Sequence, residues 1–344
     1  MPHSDRRSPK FRRRLPGLLA AILIVAANTL IMAGPSTRAN EIDGGLPATR
    51  SATQPAKHIR LLAVGNSFSG NATHYLKDIV AASGNQLTFG HASIGGCSLE
   101  KHWARVQAFE KDPNDPEGRP YSGYHGKGKM SLKEYLLAEK WDYVTLQQVS
   151  TSSYKVETFR PDARDLFEYA RKYAPQAQVV LHETWAYRAD DPLFKGGFTD
   201  EQMYEGIRQS YATIAGELGV QIIPVGDAFQ QARRNPAWKY VFPDPNYDFA
   251  NPVSPKLPDQ THSLNNGYSW SAQNGKPALK MDGHHANAAG EYLGAAVWFE
   301  FLFGQSVAGN TFVPPGLKAD DVSFLQRIAD ETVQHPLCRP VQGK

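Results

Sequence analysis

The feature that most narrows the fold is an alternation repeated five times between residues 59 and 226. The apolar runs "IRLLAVG" from Ile59, "QLTFGHAS" from Gln86, "DYVTLQQ" from Asp142, "AQVVLHE" from Ala177 and "GVQIIPVG" from Gly219 are separated by stretches of helical period. Tyr75, Leu76, Ile79 and Val80 share one such face, and Met203, Ile207, Tyr211 and Ile214 share another. Ser131 with Glu134, and Thr199 with Gln202, have the spacing of capping boxes, and a further helix is expected over 162–173. Near-continuous apolar strands that alternate with amphipathic helices pair in parallel and are covered on both faces. The expected class is therefore α/β: a three-layer α/β/α sandwich with a five-stranded parallel sheet. Such sheets bind ligands outside the carboxyl ends of their strands, so the residues just after each strand carry the functional information.

The flanks obey other rules. Residues 1–39 read as a secretory signal peptide: a basic "RRSPKFRRR", a short apolar "LPGLLAAILIVAANTLIMA", and small residues that place cleavage after Ala33 or Ala39. The apolar run contains Asn28 and is short for a span, which favours a secreted or periplasmic product over an uncleaved anchor. Residues 40–57 are a polar linker, 58–310 the α/β domain, and 311–344 a tail with one amphipathic helix through Val322, Leu325, Ile328 and Ala329. Inside the domain, 235–281 shows no period. Its aromatic residues, among them Trp238, Tyr240, Tyr247 and Trp270, are too many for a solvated linker. The leader also holds the basic excess, and its removal takes the formal net charge from +3 to −3, which argues against nucleic acid as a partner. Cys97 and Cys338 make either one bridge or two buried thiols, and neither has a Cys or His at ligand spacing.

Two short stretches carry chemistry. The first strand runs into "GNSFSGN", where Ser67 stands between Gly65 and Gly70 at a predicted carboxyl edge. A turn needs one glycine and one hydrogen bonder, so Ser67 is either part of the turn or a presented nucleophile. The second stretch is "DGHH", which places Asp282 and His285 three apart at the expected mouth of a helix, where such side chains project to one side. Asp282 can then orient His285, which takes the serine proton during attack and returns it to the leaving alcohol. Ser67 alone reads equally as a helix cap and His285 alone as a satisfied core residue; their joint occurrence carries the argument. Chain order excludes the α/β-hydrolase elbow, because Ser69 replaces its second glycine and the acid precedes the histidine by three residues. His284 is flanked by no further metal-ligand spacing, so no metal is expected. His182 and Glu183 after the fourth strand, His262 and Asn265 in "THSLNN", and Asn66 and His284 are substrate-binding candidates.

This arrangement resembles the SGNH (GDSL-type) hydrolase superfamily over residues 59–304. "GNSFS" is similar to its first block, with Asn66 where Asp is commoner, and "DGHHANAAG" to its fifth. The likeness is closer to a branch of uncharacterised secreted bacterial members, through "GNSF", "GGCSLEKH", "LQQ", "HETW" and "DGHHANAAGEYL". The resemblance implies a flavodoxin-like SGNH fold, a Ser67–His285–Asp282 triad, and an oxyanion hole formed by the Ser67 amide, Gly96 with Gly95 as a rival, and a side-chain amide. The Gly-x-Asn-Asp of the third block is missing. Gln147 and Gln148 stand in its place; strand alternation lets one of them face the site, with Gln147 taken as the donor and Gln148 as the alternative.

The expected function is thus a secreted serine esterase that hydrolyses O-acyl esters, above all O-acetyl esters of carbohydrates, with no cofactor. The alternatives are a catalytically weakened carbohydrate-binding protein on the same fold, favoured by the altered third block, and an O-acyltransferase in which a sugar replaces water.

Overall fold

A computed structural model describes residues 55–334. The signal peptide, most of the linker and Cys338 lie outside those residues. The first strand, β1 (His58–Gly65), dives from solvent into the centre: His58 is exposed, whereas Leu61, Leu62 and Ala63 are fully buried. A strand buried on both faces needs helices above and below, and the chain supplies them in alternation. After β1 come α1 (Ser67–Ala72), α2 (Leu76–Ala82), β2 (Gln86–Ser93), α3 (Leu99–Lys111), α4 (Leu132–Ala138) and β3 (Tyr143–Leu146). Then follow α5 (Asp162–Tyr173), β4 (Gln178–His182), α6 (Asp200–Leu218), β5 (Gln221–Ile223) and α7 (Val225–Arg234). The sheet is parallel throughout, in the order β2-β1-β3-β4-β5. This is the five-stranded architecture expected from the alternation and from the SGNH resemblance. Because the chain steps outward from β1 in both directions, a crevice opens at the carboxyl ends of β1 and β3, and Ser67 stands there.

Both predicted capping boxes form, Ser131 with Glu134 on α4 and Thr199 with Gln202 on α6. The last strand is shorter than its apolar run, since Pro224 cannot donate to a ladder and the chain turns into α7 at Val225.

The region over 235–281 departs from the expected lack of regular structure. It closes with a hairpin, β6 (Asn265–Gln273) against β7 (Lys276–Ala286), that turns through Asn274 and Gly275 with φ of 51° and 72°. Asn-Gly is the residue pair that a two-residue hairpin turn demands, so this signal stood in the sequence. β7 runs directly into α8 (Ala288–Phe303), whose first amides, Ala289 N and Gly290 N, donate to the Asn287 side chain. Hence "DGHH" lies on a strand, not in a first helical turn. α8 is apolar all round and runs through the core; Gly294 permits this, since a Cβ there would sit 2.9 Å from Ala72 Cα. Finally α9 (Ala319–Val333) buries Val322, Leu325, Ile328 and Ala329, and its Gln326 donates to Tyr292 Oη on α8 at 2.9 Å. Among the described residues, no helix is long and apolar enough to cross a membrane.

Candidate active site

The turn after β1 is held from three sides. Gly65 carries no side chain because a Cβ would lie 2.7 Å from both Gln147 Oε1 and Ser69 Oγ. Its carbonyl accepts from Ile94 N at 3.2 Å and lies 3.0 Å from His102 Nε2. His102 is completely buried, and burial lowers its pKa to about 4, so the ring is neutral. With the Tyr121 hydroxyl 2.8 Å from Nδ1, the consistent tautomer has Tyr121 donating to Nδ1 and Nε2–H donating to Gly65. On the far side Asn66 accepts from Phe68 N at 3.0 Å and donates to the Cys97 carbonyl at 3.0 Å. Ser69 donates to the Asn66 carbonyl at 2.8 Å, and His91, whose pKa burial lowers to about 4, stands 2.9 Å from the same hydroxyl. Ser69 is therefore the structural serine of the turn. Ser67 is left to project from the first residue of α1.

Ser67 Oγ lies 2.9 Å from His285 Nε2, and His285 Nδ1 lies 3.0 Å from Asp282 Oδ2. On a regular strand, residues three apart point to opposite faces, yet these two meet. The reason is a bulge. Asn265 pairs with Ala286 and Gly267 with Asp282, so one residue of β6 stands against three of β7. The bulged backbone folds over the acid, and Asp282 Oδ1 accepts from the amides of His285 at 3.0 Å and His284 at 3.3 Å. Asn266 Nδ2 adds a contact to Oδ2 at 3.3 Å. Burial works to raise the pKa of Asp282, but the His285 amide, Asn266 and the His285 ring outweigh it and hold the carboxyl below its ordinary value. His284 lies between Asp191 and Asp282, 3.9 Å and 3.4 Å away, and the Asp191 carboxylate raises its pKa despite partial burial. Phe68 stacks on Trp185 at 4.3 Å, and the Trp185 indole donates to the His284 carbonyl at 2.9 Å, which joins the nucleophile turn to the strand of the histidine.

The model of the family described as Domain of unknown function, DUF4886, matches residues 60–241. The chain belongs to the DUF4886 family. The match includes Ser67 and the sheet strands from the third residue of β1 through β5, but stops before Asp282 and His285. A crystal structure of a DUF4886 protein from Bacteroides uniformis is similar at 26% identity and a TM-score of 0.62, over 83% of this chain and 98% of that one. A protein of Slackia heliotrinireducens, described as a candidate SGNH hydrolase, is similar at 20% identity and a TM-score of 0.44, over 71% of this chain and 98% of that one. The lipase/acylhydrolase of Enterococcus faecalis stands at 13% and 0.42, over 72% and 96%. No match is found among curated proteins.

In this DUF4886 chain the glutamine pair differs from expectation. Gln147 is 1% exposed, and its amide donates to Asn66 Oδ1 at 3.0 Å and to the Gln148 carbonyl at 2.7 Å, so both of its protons are engaged inside the fold. Gln148 points the other way, as strand alternation requires. It accepts from Leu99 N and Val149 N and donates to the Thr158 carbonyl. Neither glutamine faces the nucleophile. Gly96, at φ 61°, lines the cleft with Ser67, and Gly95 is not among the lining residues.

The cleft beside Ser67 has a volume of about 450 Å³. Of the substrate-binding candidates, Asn66 and His284 line it. The others sit elsewhere, each for a physical reason. Glu183 accepts from Asp227 N at 3.0 Å in the first turn of α7, and burial holds its pKa well above the ordinary value. His182 packs edge-on against Trp298 at 4.9 Å, its pKa lowered by burial to about 3. His262 stacks on Trp238 at 4.5 Å, and Asn265 donates to the His284 carbonyl at 3.2 Å while accepting from Arg233 at 2.7 Å. Sequence reasoning missed Ser150, Tyr187, Asp191 and Met281, which complete the cleft wall. The signal available was position, since Ser150 follows β3 and "TWAYRADD" follows β4 at the carboxyl edge. Among the described residues, Asp282, His284 and His285 are near enough to share a metal ion, but both ring nitrogens of His285 already face Asp282 and Ser67.

Proposed function

We propose that the protein is a serine esterase that removes short O-acyl groups, acetyl above all, from carbohydrates outside the cytoplasm. The observation that carries the reading is the continuous line from Ser67 Oγ to His285 at 2.9 Å and on to Asp282 at 3.0 Å, at the mouth of a cleft. Ser67 attacks the ester carbonyl while His285 Nε2 takes its proton, and Asp282 holds Nδ1–H and stabilises the imidazolium. The tetrahedral oxygen is met by backbone amides of Ser67 and Gly96. His285 then protonates the leaving alcohol, the acyl-enzyme forms, and water activated by the same ring releases the acid. Ser150, Tyr187, Asp191 and His284 give the cleft polar groups suited to sugar hydroxyls.

A second reading, a carbohydrate-binding protein with weak turnover, is favoured by one observation: the Gln147 amide is engaged by Asn66 and the Gln148 carbonyl, so the glutamine pair offers the oxyanion no side-chain donor. One assay separates the two. Acetylated oligosaccharides and an aryl acetate are offered to the unmodified protein and to Ser67→Ala, and an organophosphonate is mapped by mass spectrometry. The esterase reading expects turnover lost in Ser67→Ala and label on Ser67. Glycan binding without turnover in the unmodified protein overturns it.

A further inference from the structure

The best-connected side chain near the site belongs to none of the motifs. Arg188 stands in the loop after β4, and 2% of its side chain is exposed. Nε and Nη2 grip the Asp190 carboxylate at 2.6 and 3.0 Å. Nη1 donates to Gln260 Oε1 at 2.9 Å and to Ser263 Oγ at 3.3 Å, and Nη2 to Met281 Sδ at 3.3 Å. The guanidinium is covered by the rings of Tyr240 at 4.7 Å and Tyr268 at 5.4 Å. Its backbone amide donates to the carbonyl of Gly283, the residue between Asp282 and His284, at 2.7 Å.

These contacts serve a particular need. Asp282 and His285 are carried by a hairpin that belongs to its own two-stranded sheet, and an isolated hairpin is marginal in water. Something must fix it to the sheet that carries Ser67. Hairpin and guanidinium are shaped to each other: Gly267, at φ 70°, would place a Cβ 2.0 Å from Arg188 Nη1 and 2.1 Å from Gln260 Oε1. A buried charge is costly unless fully paired and hydrogen-bonded, and this one is. We propose that Arg188 is a positioning residue: by clamping the strand of Asp282 and His285 to the loop after β4, it sets the reach of His285 to Ser67. The proposal rests on the serine-esterase reading for its effect on turnover, but its geometric part stands apart from it.

The test uses the full chain with Arg188→Met, Arg188→Lys and Ser67→Ala. Arg188→Met should lower kcat on an aryl acetate about 10²-fold with KM within about 3-fold, as small misplacements of catalytic groups do. It should also slow organophosphonate labelling of Ser67 in parallel. Arg188→Lys should recover part of both. By proton NMR, the low-field signal of His285 Nδ1–H bonded to Asp282 should persist in Ser67→Ala and vanish or move in Arg188→Met. A lowered Tm in Arg188→Met with unchanged kcat per folded molecule and an unchanged signal would overturn the proposal. Should Arg188→Met fail to fold, the same measurements on Arg188→Lys decide, and wild-type values there also overturn it. Absence of ester turnover in the unmodified protein would defeat the esterase reading, and the NMR signal would still judge Arg188.

Discussion

Ser67, His285 and Asp282 form one hydrogen-bonded unit, so their removal should not be additive. Ser67→Ala and His285→Ala should each lower kcat by about 10⁴-fold or more, and the double variant should lose little beyond the worse single one, read by steady-state kinetics on an aryl acetate. Gln147 belongs to a different class. Its two amide protons hold Asn66 Oδ1 and the Gln148 carbonyl, so Gln147→Leu leaves a buried acceptor short of a donor. The expected result is a loss of about 1–3 kcal/mol in denaturant unfolding, with kcat reduced less than about 10-fold. A kcat loss near 10²-fold with unchanged stability would restore it as an oxyanion donor. That Ser67, His285 and Asp282 could meet was legible because each stands in a short local motif. The partner of the Gln147 amide was not, since strand alternation separates Gln147 from Gln148 but says nothing of which polar atom 81 positions upstream will meet it. The same holds for His182 and Glu183: their place at the carboxyl end of β4 was readable, whereas the packing on Trp298 and the amide of Asp227 are tertiary facts.

At the scale of elements, the hairpin and the aromatic segment before it decide how the site is built. Strands and helices of the sheet were readable because periodicity is local, and both capping boxes were spelled out. The hairpin was overlooked although Asn274-Gly275 announces its turn, because β6 carries Ser, Asn and Gln where an apolar face would show alternation. Its bulge explains why Asp-x-x-His works on a strand as well as in a helical turn. The aromatics divide by exposure. Trp238 is 3% exposed and stacks on Phe324 at 4.8 Å, so it joins the segment to α9. Trp238→Ala should cost about 3–5 kcal/mol of stability, measured by denaturant unfolding, without changing kcat per folded molecule. Phe242 and Phe249 are 42% and 38% exposed and are the members of the segment free to meet a sugar face. Replacing both by Ala should leave stability within about 1 kcal/mol and aryl acetate turnover unchanged, while raising KM for acetylated oligosaccharides. An unchanged KM on the oligosaccharides would remove this segment from the carbohydrate reading.

At the scale of the whole molecule, α8 ties the layers together, and it carries one carboxyl group into the core. Glu300 is 5% exposed; its Oε1 accepts from Val307 N at 2.8 Å, and Asp330 of α9 is its acidic neighbour. Burial raises its pKa from 4.5 to about 8, against the opposing effect of the Val307 amide and with a smaller push from Asp330. In the unfolded chain the carboxyl loses its proton near 4.5, in the folded one near 8, so between those values the native state binds more protons. Stability from this group is therefore fully present below about pH 4.5 and is lost as pH rises through about 8. Glu300→Gln keeps an acceptor for Val307 N and gains a donor toward Asp330, without a charge to bury. Its Tm should exceed that of the unmodified protein at pH 8.5 and the difference should shrink toward pH 5, where Glu300 is itself neutral. Calorimetry across that range checks the sign, and a difference that grows on acidification would show that the carboxylate, not the acid, is the form the fold prefers.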